Sequence, residues 1–537
     1  MLSRVVALTA IYIGGALSTT LTGEAKAMME DSMAWMDNFF DPKENLIFEV
    51  QSDAAMNHET LESVWYAVGL LARNGNQGQD VSHAEGIITR VIDDQYKDPA
   101  DIWFGVYTKE PEEPYVGTAP YPATRYGSWD PNWYDFVGTA FVTIYEEFGP
   151  ILSASTKEYM LESMVNSSIG NSRRGGDVDG DNLWPAYSNP AIMRAATTTW
   201  TGVKTGNKTM QAEGEGYAQQ IIDLWDLHKT LSEFNSPTYT GISLFGLTLW
   251  GKYMPKSSIL AQRGPDIFRG TFSTVAQLWH AGMRNLAGPW DRSYSFNMQT
   301  SLGHLSLLLA PIIGREESGL RQNPWIMSHA RDWCWASLIA VHAEYFTSLV
   351  PQNVKKMLKE FSPHTWRGQV YYPPFDLETR NITTWLGEKL MIGAQSYHTT
   401  SSNGPDDNNE QFHPAVAQWT YNNGDIGWLD LRASVPHLLV DVSPNRLNLT
   451  YPDGDASSVF TFYASPSLLQ RNVQGWSDIQ GVNISISGNV DPNATVKFAG
   501  RFGGSYGPYY DYNYWYLQHT MPAGFEGTPE LVIDFTY

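Results

Sequence analysis

The segment from Glu233 to Tyr239 concentrates groups that could carry acid–base chemistry. It holds a carboxylate at Glu233, an amide at Asn235 and a phenol at Tyr239, and Pro237 forces a turn by disfavouring the α conformation at the preceding residue. Phe234 and Pro237 offer apolar neighbours that would raise the pKa of Glu233 towards the range of a general acid. We predict Glu233 and Tyr239 as catalytic residues and Asn235 as a substrate ligand. A structural carboxylate at a helix end is the alternative for Glu233.

A second polar turn follows a Gly-Pro break and holds Trp290, Asp291, Arg292 and Tyr294. An Asp beside an Arg can be a simple ion pair, but the flanking aromatic residues indicate a turn that contacts substrate. We predict Asp291 as the second catalytic carboxylate. Trp290, Arg292 and Tyr294 are predicted to bind substrate.

Two further catalytic candidates lie in segments predicted to be helical. Asp135 falls one turn into a helix, where its carboxylate is predicted to face a cleft, and Trp133 beside it is predicted to bind substrate. His280 stands at helical spacing from Arg284 and is predicted to share its helix face. A structural role is the alternative for His280.

The segment around Tyr187 and Asn189 opens another predicted helix, and both residues are predicted to bind substrate by hydrogen bonds. Just before it, the spacing of Asp177, Asp179 and Asp181 is similar to a calcium loop, but Ser188 stands where the bidentate Glu belongs. The sequence also lacks a zinc-protease motif, a nucleotide-binding loop and a serine-nucleophile motif. We therefore predict no metal and no cofactor, and leave cation binding at this loop open.

Composition restricts the class of partner. The formal net charge of −22 excludes nucleic acid and anionic membranes as partners, since both require a basic surface. The 20 Trp and 29 Tyr suit a cleft that stacks on sugar rings or flat apolar ligands, although such residues also fill helical cores. No segment after the N-terminus is long and apolar enough to predict a membrane span. A small-molecule or glycan substrate is therefore expected, and the oligomeric state stays open.

The N-terminus predicts secretion. Residues 1–18 combine Arg4, an apolar stretch and a small-residue cleavage pattern, which is typical of a signal peptide. Cys334 is the single cysteine, so an internal disulfide is impossible. The protein is expected to be a glycoprotein, with six predicted glycosylation sites at Asn166, Asn207, Asn381, Asn448, Asn483 and Asn493.

Two regions differ in the spacing of their apolar residues. Residues 28–360 show helical spacing in eleven or twelve segments, which predicts a mainly α protein with an (α/α)6 toroid, a double ring of helical hairpins. Residues 366–537 contain period-two segments separated by turn residues, which predict a C-terminal antiparallel β domain. One predicted helix covers residues 272–286.

The Tyr187-Ser-Asn-Pro opening and the Glu233-Phe-Asn-Ser-Pro-Thr-Tyr239 loop resemble fungal secreted proteins with a linalool dehydratase–isomerase-like toroid. That resemblance implies addition or removal of water, or a double-bond shift, by acid–base catalysis. The characterised bacterial enzyme of that family carries cysteines in its site, and no such role is carried over to Cys334. A helical ring followed by a β domain is also similar to toroid polysaccharide lyases and glycosidases.

Three functions follow from these features. The first is a cofactor-independent lyase or isomerase that acts on a small terpenoid or polyketide-like metabolite by carboxylate–tyrosine chemistry. The alternative is a carbohydrate-active enzyme, either a polysaccharide lyase or a glycosidase with paired carboxylates. The second alternative is a non-catalytic glycan-binding protein.

Overall fold

The computed structural model describes most of the chain. Its described residues are 21–50, 57–74, 78–294, 302–320, 324, 327, 329–400, 411–421, 424–465, 470, 472–500 and 513–537. The predicted signal peptide lies outside them. No helix among them is both long and apolar enough to cross a bilayer.

Helices occupy the first two thirds of the described chain. They are α1 (Gly23–Met36), α2 (Thr60–Asn74), α3 (Asp80–Asp93), α4 (Trp133–Phe148), α5 (Ala154–Asn171), α6 (Ser188–Thr205), α7 (Lys208–His228), α8 (Thr240–Tyr253), α9 (Ile259–Leu278), α10 (Gly303–Ile313), α11 (Ala336–Leu349) and α12 (Gln352–Lys359). Several begin at side-chain caps; Ser153, for example, accepts a hydrogen bond from the backbone N–H of Thr156 at 3.2 Å.

Six of these helices form a closed inner ring. Helices α2, α4, α6, α8, α10 and α11 each contact the next in this order, and α11 contacts α2. Helices α3, α5, α7 and α9 pack outside, each beside the inner helix that precedes it in the chain. Inner helices such as α6 and α8 are buried along most of their length, as expected for helices with neighbours on every side.

Strands dominate the rest. Short strands β1 (Phe40–Asp41), β2 (Leu46–Phe48) and β3 (His58–Glu59) form one small sheet, and β4 (Trp279–His280) and β5 (Asn285–Leu286) form a hairpin. The remaining strands are β6 (His364–Val370), β7 (Arg380–Leu386), β8 (Leu390–His398), β9 (Ala415–Tyr421), β10 (Asp425–Leu431), β11 (His437–Ser443), β12 (Arg446–Thr450), β13 (Val459–Ser465), β14 (Asn483–Gly488), β15 (Thr495–Gly500), β16 (Tyr514–Thr520) and β17 (Glu530–Thr536).

These last strands form one curled antiparallel sheet. Along its main path the order is β14-β17-β12-β11-β8-β9-β10-β13-β16-β15, and β6 and β7 extend from β8. Side chains of this region form an apolar core of their own, to which Leu449, Phe460 and Leu517 belong. The prediction of a helical region followed by an antiparallel β region is confirmed.

The β region docks on the helical ring through the β4–β5 hairpin and the residues that follow it. The amide of Gln418 accepts a hydrogen bond from Asn285 at 2.7 Å and donates one to the carbonyl of Leu286 at 3.0 Å. The backbones of Trp290 and His413 exchange two hydrogen bonds, at 3.0 and 2.9 Å. This docking fixes the path of the chain into Arg292 and Tyr294.

The prediction of a helix over residues 272–286 is wrong at its C-terminal end. Helix α9 stops at Leu278, and the chain turns through β4 and β5. His280 and Arg284 therefore do not share a helix face: His280 is buried, whereas Arg284 is exposed with a φ of +51°. Spacing alone did not reveal the turn because the segment contains enough apolar residues to fit a helix.

Candidate active site

A cleft of about 400 Å³ lies where the inner helices begin. Each of the six contributes at least one lining residue at or next to its N-terminus. These residues include Leu61 (α2), Trp133 (α4), Tyr187 (before α6), Tyr239 (before α8), His304 (α10) and Trp335 (before α11). The N-terminal ends of these helix dipoles therefore converge on the cleft.

Arg292 is the centre of a phenol cluster on one wall. Its guanidinium donates hydrogen bonds to the hydroxyls of Tyr187 and, at 3.2 Å, Tyr294. The Tyr294 hydroxyl contacts that of Tyr239, whose ring centroid lies 4.4 Å from the Arg292 guanidinium. Burial raises the pKa of Tyr239 well above its ordinary value, although Arg292 opposes this, so the phenol stays protonated at neutral pH. The Nε of Arg292 donates a hydrogen bond at 2.8 Å to the side-chain oxygen of Gln411, which precedes β9.

His304 also lines the cleft and is 4% exposed. Its Nδ1 lies 3.3 Å from the carbonyl oxygen of Thr238 and 3.4 Å from Asp332 Oδ2, so both acceptors favour a proton on Nδ1. Its Nε2 has no hydrogen-bond partner among the described residues. Burial lowers the pKa of His304, although Asp332 opposes this. At neutral pH the imidazole is therefore uncharged and presents a lone pair at Nε2.

Asp332 connects two histidines of the cleft. Besides His304 it contacts Nδ1 of His329. Burial raises the pKa of Asp332, but the two histidines outweigh this and hold it below its ordinary value. A side chain at Gly303 would place its Cβ 2.3 Å from Asp332 Oδ2, so the glycine allows the carboxylate to approach the start of α10. Asp332 can therefore orient His304 and stabilise its protonated form.

Arg331 is the second arginine of the cleft, and it already holds two carboxylates. It contacts Glu59 directly and Glu62 at 2.9 Å, and both acids are buried at the start of α2. Trp65, Trp133 and Trp335 add flat apolar surface to the lining, which suits the faces of sugar rings.

Five residues predicted from sequence to contact substrate or carry out catalysis line this cleft together: Trp133, Tyr187, Tyr239, Arg292 and Tyr294. The predicted carboxylates lie elsewhere. Glu233 is 4% exposed, accepts hydrogen bonds from the Asn189 amide (2.8 Å) and backbone N–H (3.1 Å), and lies 3.8 Å from Arg292. Asn189 therefore meets Glu233 at the start of α6, and neither residue is part of the cleft lining.

Asn235 and Trp290 are also placed behind the cleft. The amide of Asn235 donates to the carbonyls of Ala287 and Pro289, both at 2.8 Å, and the Trp290 indole donates to Ala287 at 3.2 Å. Both residues are buried, and neither lines the cleft. They hold the polar loop against the turn that carries Arg292.

Asp291 belongs to a buried ion-pair network between the helical and β regions. It accepts hydrogen bonds from the Phe234 N–H at 3.0 Å and Gln395 at 2.8 Å, and lies 3.0 Å from the guanidinium of Arg380. Arg380 is fully buried and also pairs with Asp376 at 2.8 Å. Burial raises the pKa of Asp291 to about 6, although Arg380 opposes this.

We expect Asp291→Ala to lower the free energy of unfolding by about 3 kcal/mol, because it removes one partner of a buried ion pair. Urea unfolding measures this change through the midpoint and slope. The exposed Asp223→Asn on α7 is the control and should change stability little. Unchanged stability combined with a hundredfold loss of turnover would instead support the catalytic role predicted from sequence.

Asp135 and His280 are held by partners outside the cleft. Asp135 is fully buried and accepts hydrogen bonds from Asn171 at 2.9 Å and Thr197 at 2.8 Å. Burial raises its pKa to about 6. His280 accepts from the Met283 N–H at 3.0 Å, and its Nε2 lies 2.9 Å from a carbonyl of the β region. Neither residue reaches the cleft lining.

In the Asp177–Asp181 loop, the carboxylate of Asp181 forms ion pairs within the protein. Asp181 is 2% exposed and pairs with Arg125 and Arg174, both at 2.8 Å. One group of described residues has donor atoms close enough to hold a metal ion, namely His398, His437 and Asp453 in the β region, and none of the three lines the cleft.

The predicted glycosylation sites differ in exposure. Four of the asparagines are exposed, and Asn166 and Asn448 are partly buried. The exposed ones are Asn207, Asn381, Asn483 and Asn493.

Four residues of the cleft were not predicted from the sequence: His304, His329, Arg331 and Asp332. The last three stand within four residues in a stretch otherwise rich in aromatic and small apolar side chains, and that density of titratable groups was the available signal. His304 gave a weaker signal, because a single histidine before an apolar run is typical of a helix start.

Comparison with solved structures shows a fold similar to that of heparinase III. The two share 9% sequence identity with a TM-score of 0.51, and the match covers 99% of this chain and 87% of heparinase III. Chondroitin AC lyase of Streptomyces coelicolor A3, in complex with chondroitin sulphate, matches with 8% identity, a TM-score of 0.41 and coverage of 95% and 79%, which is too distant to support an argument.

The likeness to heparinase III supports the toroid fold that the resemblance to polysaccharide lyases implies, and it concerns the fold alone. It gives no support to the resemblance to linalool dehydratase–isomerase or to a fungal origin. No curated protein matches the sequence. Residues 362–536 match a second family, described as a domain of unknown function (DUF8770). Since residues 26–344, more than half of the chain, match the family described as a domain of unknown function (DUF8769), the protein belongs to that family.

Proposed function

We propose that this protein is a glycan lyase that cleaves a uronate-containing polysaccharide or oligosaccharide by β-elimination. The observation that carries the proposal is the buried His304, which lines one cleft with Arg292 and the Tyr239–Tyr294 hydroxyl pair and whose Nε2 has no hydrogen-bond partner in the part of the chain that the structure describes. A base, a cation and protonated phenols are the groups that such an elimination requires. The likeness to heparinase III supports the fold that this site needs.

Each of these groups has one role in the elimination. His304 Nε2 takes the proton from the carbon next to the uronate carboxylate, and the electron pair of that bond forms the new carbon–carbon double bond. The bond to the glycosidic oxygen breaks, and a phenol of Tyr239 or Tyr294 gives its proton to that oxygen. Arg292 faces the carboxylate, on which negative charge builds up as the proton leaves. The reaction consumes no water.

The protonation states favour these roles. Burial lowers the pKa of His304, which keeps its lone pair available at neutral pH. Burial raises the pKa of Tyr239, which keeps its proton available for the leaving oxygen. Asp332 stands 3.4 Å from Nδ1 of His304 and stabilises the imidazolium that forms.

The alternative functions have weaker support. A glycosidase needs two carboxylates beside the scissile bond, and the predicted ones, Asp135, Glu233 and Asp291, lie outside the cleft lining. Two other carboxyl groups line the cleft, but Asp332 is engaged by His304 and His329, and Asp130 accepts the Asn132 N–H. A terpenoid isomerase would favour an apolar cavity, and this cleft is lined by two arginines, two histidines and several phenols. We also propose that the chain is secreted, because glycan substrates of this kind lie outside the cell.

The test is incubation of the purified protein with a panel of uronate polymers that includes alginate, polygalacturonate, hyaluronan, chondroitin and heparosan. Elimination gives an unsaturated uronate that absorbs in the ultraviolet, and the masses of the two products sum to that of the substrate. Products that carry an added water would identify a glycosidase. Binding without any product would identify a glycan-binding protein.

A further inference from the structure

Building on the proposed lyase function, we infer that the substrate is a uronate glycan without sulfate groups. The basis is the charge balance of the cleft. Arg292 and Arg331 are the permanent cations among the described residues that line it. Asp130 and Asp332 line it as well, and buried carboxylates stand directly behind both arginines.

The two arginines differ in how their charge is used. Arg331 contacts Glu59 and Glu62, so its guanidinium is already engaged by two carboxyl groups of the protein. Burial raises the pKa of both carboxyl groups, although Arg331 opposes this. Arg292 has Glu233 at 3.8 Å, beyond hydrogen-bond distance, and its hydrogen bonds otherwise go to uncharged phenols and an amide. Arg292 is therefore the cation best placed for one substrate carboxylate.

The converging helix N-termini add little further attraction for anions, because carboxylates of the protein already meet most of them. Glu233 accepts the Asn189 N–H at the start of α6 at 3.1 Å, and Asp130 accepts the Asn132 N–H before α4 at 2.8 Å. Asp332 approaches Gly303 at the start of α10, and Glu59 and Glu62 stand at the start of α2. Carboxyl groups of the protein therefore already lie at the N-terminal ends of these four helices.

A sulfate on the sugar would bring a second anion into this cleft. The described lining offers no further cation to meet it, and the nearby carboxylates repel it. The cleft therefore selects a sugar chain whose only charge at the reacting residue is the carboxylate.

The experiment compares the best uronate substrate from the panel with its own chemically sulfated derivative. We expect kcat/KM to be at least about tenfold higher for the unsulfated form at low salt, because like charges in the cleft repel. The ratio should shrink as salt screens the repulsion. Equal or faster cleavage of the sulfated form would overturn the inference and leave the proposed lyase function intact.

A charge variant tests whether the preference arises in the cleft. Asn182 lines the cleft and is exposed, so Asn182→Lys adds a cation there at little risk to the fold. We expect Asn182→Lys to lower the ratio of kcat/KM between the unsulfated and the sulfated substrate severalfold. Gln220→Lys adds the same charge on the exposed face of α7 and should leave the ratio unchanged. If both variants lower the kcat/KM ratio between unsulfated and sulfated substrate equally, the preference reflects the net charge of the protein and the inference fails. If the protein cleaves no uronate glycan, sulfated or unsulfated, the proposed function itself fails.

Discussion

His304→Gln is expected to lower kcat for the elimination by about two to four orders of magnitude, the usual contribution of a positioned general base. Glutamine has a similar reach but offers no basic nitrogen. The glutamine amide can still donate towards Thr238 and Asp332, which His304 meets through Nδ1, so the loss should appear in rate more than in stability. Stopped assays of ultraviolet-absorbing product measure the rate, and thermal unfolding measures stability.

The control for His304 is another buried histidine outside the cleft. His519 lies in β16, and its Nε2 accepts a hydrogen bond from the Trp476 indole at 2.8 Å. We expect His519→Gln to lower stability and to leave kcat close to that of the wild type. Near-normal kcat in His304→Gln would rule out the base assignment.

The pH dependence gives a second view of the same group. Activity requires neutral His304, and burial lowers the pKa of its imidazole, so the rate should fall only below the ordinary imidazole range as pH decreases. The Asp332 carboxylate opposes that shift. Asp332→Asn should therefore lower the pKa of His304 further and move the acidic limb to lower pH, an effect that a merely structural residue would not have.

Tyr239→Phe is expected to lower kcat by about two to three orders of magnitude, because it removes a proton donor from the hydroxyl pair with Tyr294. The phenol is needed only when the leaving oxygen requires a proton. A synthetic uronate with a phenolate leaving group should therefore restore most of the rate in this variant. The same substrate should not rescue His304→Gln, since removal of the carbon-bound proton still needs a base.

Tyr126→Phe is the matched control for the phenol. Tyr126 also lines the cleft, but its hydroxyl donates to Asp181 at 2.6 Å, away from the Arg292 cluster. Its loss should change kcat little. If Tyr239→Phe behaves like Tyr126→Phe, the acid role passes to Tyr294 and Tyr294→Phe should show the leaving-group rescue.

Local sequence patterns were enough to predict the order of the two regions and the loops that open the inner helices. Polar residues before a helical run, such as Tyr187 and Tyr239, were recognisable because turn residues and helical periodicity are local signals. In a closed ring of hairpins the inner helices begin at one end, so loops far apart in the chain meet there. This is why five of the predicted residues share one cleft.

Which titratable groups line that cleft could not be predicted from local patterns, because it depends on how the chain folds. Glu233 and Asp291 have the aromatic and proline neighbours expected of catalytic acids, yet their carboxylates meet Asn189 and Arg380. His304 looked like part of an apolar helix, yet it lines the same cleft as Arg292 and Tyr239, and its Nε2 has no hydrogen-bond partner among the described residues. The direction of a side chain depends on contacts with residues distant in sequence, and periodicity records only the local part of that arrangement.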